Sequence, residues 1–130
     1  MVAVKSFMIP REKFITVERE TDVQTAARIM RDRSIGSLFV TNGKEIIGIL
    51  TDTDMVRRVV AAGADTQKTT VEQVMSAPIL TIEEDKTLLD ANDLMAKTHI
   101  RHLGVTQDGK LVGLISVRDL VLFLTNLPRK

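Results

Sequence analysis

The stretches "GILTDTD" (Gly48–Asp54) and "GLISVRD" (Gly113–Asp119) share one pattern: glycine, two apolar residues, a hydroxyl, two variable positions and a carboxylate. A hydroxyl followed three residues later by an acid is a capping box. The hydroxyl accepts from an orphan backbone N–H and the acid reaches back to the N-cap. The apolar residues before it read as a strand, so each stretch predicts a strand that turns directly into a helix. Capping accounts for Thr51-x-x-Asp54 and Ser116-x-x-Asp119 with no ligand. Thr87-x-x-Asp90 has the same spacing without the preceding glycine-apolar strand. Binding is the alternative reading. A helix N-terminus at a strand's C-terminal edge favours an anion, and a first-turn carboxylate can accept from both hydroxyls of a ribose.

The pattern occurs twice because the chain repeats itself. Ile15–Val59 lies on Leu80–Leu124 at a constant offset of 65, and eleven of the forty-five pairs are identical, among them Thr16/Thr81, Ala26/Ala91, Met30/Met95, Val40/Val105, Gly48/Gly113 and Asp54/Asp119. The lead-ins "VKSFM" and "VEQVM" also correspond, with a two-residue difference in spacing. Each copy reads as strand, helix, strand, strand, helix. The first helix is capped at Asp22 or Thr87 and buries Val23, Ala26, Ile29 and Met30, or Leu88, Ala91, Leu94 and Met95. The two following strands are joined through "TNGKE" and "TQDGK", which carry Asn-Gly and Asp-Gly hairpin signals. The last helix is expected to bury Met55, Val56, Val59 and Val60 in the first copy and Leu120, Val121, Phe123 and Leu124 in the second. Gly63 is placed to stop the first of these helices.

The expected architecture is therefore α/β (α+β), with two pseudo-twofold-related β-α-β-β-α repeats. Residues 1–62 form the first repeat, the polar "GADTQKTT" at 63–70 the connector, and residues 71–130 the second repeat. A unit of about sixty residues with a three-stranded sheet is marginal alone. Two copies that bury their apolar faces on each other would be stable, with two equivalent clefts at the seam.

The 130-residue chain is 44% apolar and 27% charged, as in soluble globular proteins. A net charge of +1 gives no global field toward nucleic acid or anionic lipid. Four Phe, with no Trp or Tyr, make no stacking platform for single-stranded nucleic acid. No cysteine is present, which excludes disulfides and suits a cytoplasmic location. No apolar run approaches a membrane span. Nor does the sequence carry a nucleophile–base constellation, a metal set or a phosphate loop, so no catalytic residues and no enzyme activity are expected. His99 and His102 have no cysteine or obvious third ligand nearby, and Asp52 and Asp54 sit where first-turn acids are favoured anyway, so no metal site is expected. The six Met read as core filler, and the Arg-rich "RIMRDRS" and "MVRR" as solvated helix faces, with a partner or phosphate role as the lesser alternative.

The order of elements and the Gly-h-h-[Thr/Ser]-x-x-Asp ending resemble a cystathionine-β-synthase (CBS) domain, once over "FMIPREKFITVERETDVQTAARIMRDRSIGSLFVTNGKEIIGILTDTDM" and again over "VMSAPILTIEEDKTLLDANDLMAKTHIRHLGVTQDGKLVGLISVRDL". Together they resemble a tandem CBS pair, or Bateman module, over nearly the whole chain. The resemblance implies a regulatory module that binds adenosine compounds such as AMP, ADP, ATP or S-adenosylmethionine in clefts between the repeats, with no required cofactor. It implies ribose binding by Asp54 and Asp119, and ribose or phosphate contacts from Thr51 and Ser116. Adenine would lie against Phe14, Ile15 and Thr16, or against Ile79, Leu80 and Thr81. It further implies a homodimer and a separate regulated protein. The copies carry Phe39 and Gly104 where relatives often carry Pro.

The residues themselves make the two motifs unequal. Arg101, His102 and Arg118 accompany the second, against Gly36, Ser37 and Thr53 in the first, which also carries Asp52 in place of Val117. A phosphate is expected to favour the second motif, because charge-assisted hydrogen bonds are the strong ones. Arg101 and His102 serve either that motif or a ligand on the other repeat. If both motifs are caps only, the chain is instead a dimeric CBS-fold interaction scaffold.

Overall fold

The computed structural model describes residues 2–126. In chain order the elements are β1 (Ile9–Pro10), β2 (Thr16–Glu18), α1 (Val23–Arg33), β3 (Ser37–Asn42), β4 (Glu45–Thr51), α2 (Asp52–Asp54) and α3 (Val71–Val74). They continue as β5 (Thr81–Glu83), α4 (Leu88–Thr98), β6 (His102–Gln107), β7 (Lys110–Ser116) and α5 (Val117–Thr125). The strand-helix-strand-strand-helix order expected from the repeat is present in both copies.

The chain divides into two compact units: Ile15–Ile79, and the described residues up to Phe14 together with those from Leu80. These units are not the sequence repeats. Each lead-in packs with the body of the other copy, and it does so through matched hydrogen bonds. Val71 N donates to Thr21 O (2.8 Å) and Val23 N to Thr69 O (2.9 Å) in one unit. Val4 N donates to Lys86 O (2.7 Å) and Leu88 N to Val2 O (3.2 Å) in the other. The connector therefore has a structural task. Its carbonyls at Thr66 and Thr69 take amides of the first turn of α1 that would otherwise be orphaned.

In the 15–79 unit the sheet order is β2-β3-β4, with β2 parallel and β4 antiparallel to β3. In the other unit β5-β6-β7 repeats this arrangement, and β1 adds a fourth strand beside β7. The expected three-stranded sheet is thus one strand short there, because Ile9 and Pro10 pair with Leu114 and Gly113. The matched contact in the 15–79 unit is a single bridge between Ser76 and Ile49.

The helical faces of α1 and α4 follow the expected spacing. Val23, Ala26 and Met30 are buried with Ile29 packed beside them, and Ala91 and Met95 are buried with Leu88 and Leu94 beside them. The N-caps are Asp22, which accepts from Thr25 N, and Thr87, which accepts from Asp90 N. Both helices end on left-handed residues that are not glycine, Ser34 (φ 53°) and His99 (φ 58°). Among the other Met, Met8, Met55 and Met75 pack against the cores, while Met1 lies outside the described residues. The hairpins have two-residue loops, Gly43-Lys44 and Asp108-Gly109, so Asn42 ends a strand and Gly43 (φ 63°) opens the turn.

The last helices correct the expected burial. Val59 and Leu120 are buried, but Val56 and Val60 are 61% and 75% exposed, and Val121 and Leu124 are each 52% exposed. An α-helix turns about 100° per residue, so only one stripe can face the sheet. Val56 and Val60 follow Met55 and Val59 by one residue each and fall off that stripe. The segment Met55–Val60 is also wound as a π-helix, with Ala61 N donating to Val56 O at 2.8 Å, whereas α5 is α-helical. Gly63 (φ 66°) stops the first of these helices, as its position predicts.

Candidate functional site

In each unit three chain segments meet at one end of the sheet. β2 and β3 run parallel and β4 antiparallel, so the start of β2, the start of β3 and the end of β4 share an edge. That edge gathers Ile15, Thr16, Gly36, Ser37 and the Thr51–Asp54 turn. Ser37 pairs with Thr51, and Asp52 N donates to Gly36 O at 3.0 Å. The other unit gathers Leu80, Thr81, Arg101, His102 and Ser116–Asp119 in the same way. His102 pairs with Ser116, and Val117 N donates to Arg101 O at 3.0 Å. The backbone of Arg101 and His102 thus flanks the motif of their own unit, and the exposed Arg118 is the second residue of α5.

The segments Phe14–Thr16 and Ile79–Thr81 each straddle a boundary between the compact units. Within each unit, Phe39 N donates to Ile15 O (3.0 Å) and Gly104 N to Leu80 O (2.9 Å). A proline at either place would lack that N–H. Phe39 and Gly104 therefore commit those two carbonyls to the sheet.

Both motifs form the capping box. Asp54 N donates to Thr51 Oγ1 (3.2 Å), and Thr51 N donates to Asp54 Oδ2 (3.0 Å). Asp119 N donates to Ser116 Oγ (3.2 Å), and Ser116 N donates to Asp119 Oδ2 (2.8 Å). The Thr87–Asp90 box has the same bonds, at 3.2 and 2.9 Å. Its place differs: it opens the helix that follows β5, away from the edge where β5 begins. The box holds the Asp90 carboxyl below the usual carboxylate range, chiefly through the backbone N–H of Thr87 and then through its hydroxyl.

Beyond the box the two aspartates diverge. Asp54 is 5% exposed. Ser76 Oγ donates to its Oδ1 at 2.9 Å and approaches Oδ2 at 3.1 Å, and Arg58 Nε lies 3.8 Å from Oδ1. Arg58 Nη1 also donates to Met75 O (2.8 Å) and Val74 O (3.3 Å). Asp119 is half-buried, and among the described residues its hydrogen bonds are those of the box, all at Oδ2. Arg57 and Arg58 are both exposed, as expected of the "MVRR" face, and Arg58 in addition reaches the lead-in carbonyls and the side of Asp54. Ser76 lies in a lead-in and went unremarked in the sequence. Its signal is the match of Ser76 to Ile9, visible only when the lead-ins are aligned on their own offset.

Among the described residues no group of three or more His, Asp or Glu side chains is placed to hold a metal ion, and no helix is long and apolar enough to cross a membrane.

The molecule is an internally duplicated α/β protein with a hydroxyl–carboxylate turn at one sheet edge of each unit. The CBS domain model matches residues 4–61 and 71–126, and the chain belongs to the CBS-domain family as a tandem pair. Pairs of this family are regulatory modules. The chain is 38% identical over 104 residues to the uncharacterized protein MK0525 of Methanopyrus kandleri, covering 78% of this chain and 53% of that one. It therefore spans about half the length of that relative. A protein with CBS domains from Burkholderia ambifaria MC40-6, ascribed to signal transduction, has a similar structure, with a TM-score of 0.81, 34% identity and coverage of 91% and 88%. The structure of CBSX2 in complex with AMP matches with a TM-score of 0.78 at 23% identity, over 99% of this chain and 100% of that one, a likeness of fold.

Proposed function

We propose that the chain senses an adenosine compound, AMP, ADP, ATP or S-adenosylmethionine, and passes the signal to a separate protein. The observation that carries this reading is Asp119. Its carboxylate is half-buried at the sheet edge, with one oxygen in the capping box and the other uncommitted among the described residues. In this reading Asp119 accepts from the ribose hydroxyls and Ser116 serves ribose or phosphate. Arg118, Arg101 and His102 supply positive charge and donors for phosphate. Adenine lies along Ile79, Leu80 and Thr81. Asp54, Thr51, Phe14, Ile15 and Thr16 are the matched set of the first copy. The AMP held by CBSX2, a protein of the same fold, supports this ligand class.

The partner copy in this reading is a second identical chain in the cytoplasm. Val121, Leu122 and Leu124 on α5, and Val56 and Val60 on the first copy's last helix, are large apolar residues left on the surface. A homodimer would cover them. One observation favours the ligand-free scaffold: both motifs are closed capping boxes that need no ligand to satisfy them. Thermal unfolding separates the two readings. At about 100 times its Kd a ligand should stabilise by about 2.7 kcal/mol. A rise in Tm with AMP, ADP, ATP or S-adenosylmethionine supports sensing, and no rise with any of them at millimolar levels supports the scaffold.

A further inference from the structure

We infer that the chain closes its own first motif: Ser76 seals Asp54, so one adenosine compound binds per chain, at Ser116–Asp119. This rests on the adenosine reading above. A carboxylate offers about four acceptor directions. At Asp54 the box takes Oδ2, and the Ser76 hydroxyl takes Oδ1 at 2.9 Å. Ser76 thereby takes the outer oxygen, and with Arg58 beside it leaves no room for the pair of hydrogen bonds a ribose diol would make. Ser76 is held there on two sides. Its backbone exchanges two hydrogen bonds with Ile49 (2.8 and 3.0 Å). Arg58 pins the carbonyls of Val74 and Met75 and lies beside the same carboxylate.

The second copy has the same backbone contact with none of this chemistry. Ile9 pairs with Leu114 as Ser76 pairs with Ile49, and Ile49 and Leu114 are matched residues of the repeat. At the place of Arg58 stands Phe123, which stacks on Phe7 of the lead-in with ring centroids 5.2 Å apart. Beside that motif the lead-in is fastened by this stack, its one side-chain hydrogen bond to a strand carbonyl, Arg11 Nη1 to Leu111 O (2.8 Å), lying at the far end of β7, and among the described residues the carboxylate of Asp119 keeps an oxygen for a ligand. Ser76 is therefore a specificity-determining residue: it sets how many ligands the chain accepts.

The test is isothermal titration of AMP into the full chain and its variants, with thermal unfolding to establish folding. One site per chain is expected for wild type, one site of roughly tenfold to a hundredfold lower affinity for Asp119→Ala, two for Ser76→Ala, and one for Ser76→Thr, which keeps the hydroxyl. Two sites in wild type would overturn the inference, even if Ser76→Ala does not fold. So would one site in a folded Ser76→Ala, or undiminished binding by Asp119→Ala. If neither wild type nor Ser76→Ala binds AMP, ADP, ATP or S-adenosylmethionine, the adenosine reading itself falls.

Discussion

The two units are built on one plan and differ in how they fasten the segment that enters from the other repeat. In the 15–79 unit the fastening is polar: Arg58 to two carbonyls, and Ser76 to Asp54. In the other unit the Phe7–Phe123 stack takes the place of Arg58, and the entering segment's hydrogen bond from Arg11 to Leu111 O lies at the opposite end of β7 from the motif. The polar fastening consumes the carboxylate that the motif presents, and the apolar one leaves it half-exposed. Two differences between copies, Arg58 for Phe123 and Ser76 for Ile9, give one motif a structural task and, in the proposed reading, leave the other to a ligand.

The aspartates give the largest contrast. Asp119→Ala removes a charged acceptor for the ligand and should weaken AMP binding roughly tenfold to a hundredfold, from about 1.5–3 kcal/mol for hydrogen bonds to a charged group. It should cost only about 1 kcal/mol of stability, the worth of a cap. Asp54→Ala strips the partner from Ser76 and Arg58 at a buried place and should cost about 2–3 kcal/mol of stability. Urea unfolding of the two variants measures the difference. Equal losses of stability would erase the contrast.

A second pair of variants should show where the copies are alike. A Cβ on Gly48 would collide with Met75 Sδ and stand 3.0 Å from Ser76 O, and one on Gly113 would collide with Met8 Sδ and stand 3.0 Å from Ile9 O. Each lead-in methionine crosses its strand over a glycine. Gly48→Ala and Gly113→Ala should each destabilise by about 1–3 kcal/mol, as overpacking does. Similar drops in Tm would show that both lead-ins are seated alike and differ only in their fastening.

The smallest effect lies in acid. The Thr25 hydroxyl, and then the Thr25 N–H, hold the Asp22 carboxyl below its ordinary value. A carboxyl whose pKa is lowered by folding stabilises fully above its unfolded value, about 3.9, and loses that contribution as pH falls through the folded value. The stability gap between wild type and Asp22→Asn should therefore be constant near neutrality and shrink below about pH 4. A gap that widens in acid would contradict the cap.

Much of the fold was legible in the sequence because it rests on local rules. The offset of 65 aligned the cores, and the hydroxyl–acid spacing marked both helix starts where they occur. The left-handed caps at Ser34 and His99 escaped notice because no glycine marks them. The last helices misled because both of their sides are apolar, and apolar content does not say which side meets a sheet. The exchange of lead-ins is a tertiary fact, carried by hydrogen bonds between carbonyls and amides far apart in the chain. For the candidate site, the sequence ranked the second motif first from the charges of Arg101, His102 and Arg118. The partners of Asp54 give a separate reason for that ranking, one that lay in the fold.

The most direct measurement is an AMP titration followed by the backbone amide resonances of the isotopically labelled chain. The amides of Ser116, Val117, Arg118 and Asp119 should shift and saturate together, while those of Thr51 to Asp54 and Ser76 hold their positions. Saturating shifts at Thr51–Asp54 at the same or lower AMP concentration would contradict the account.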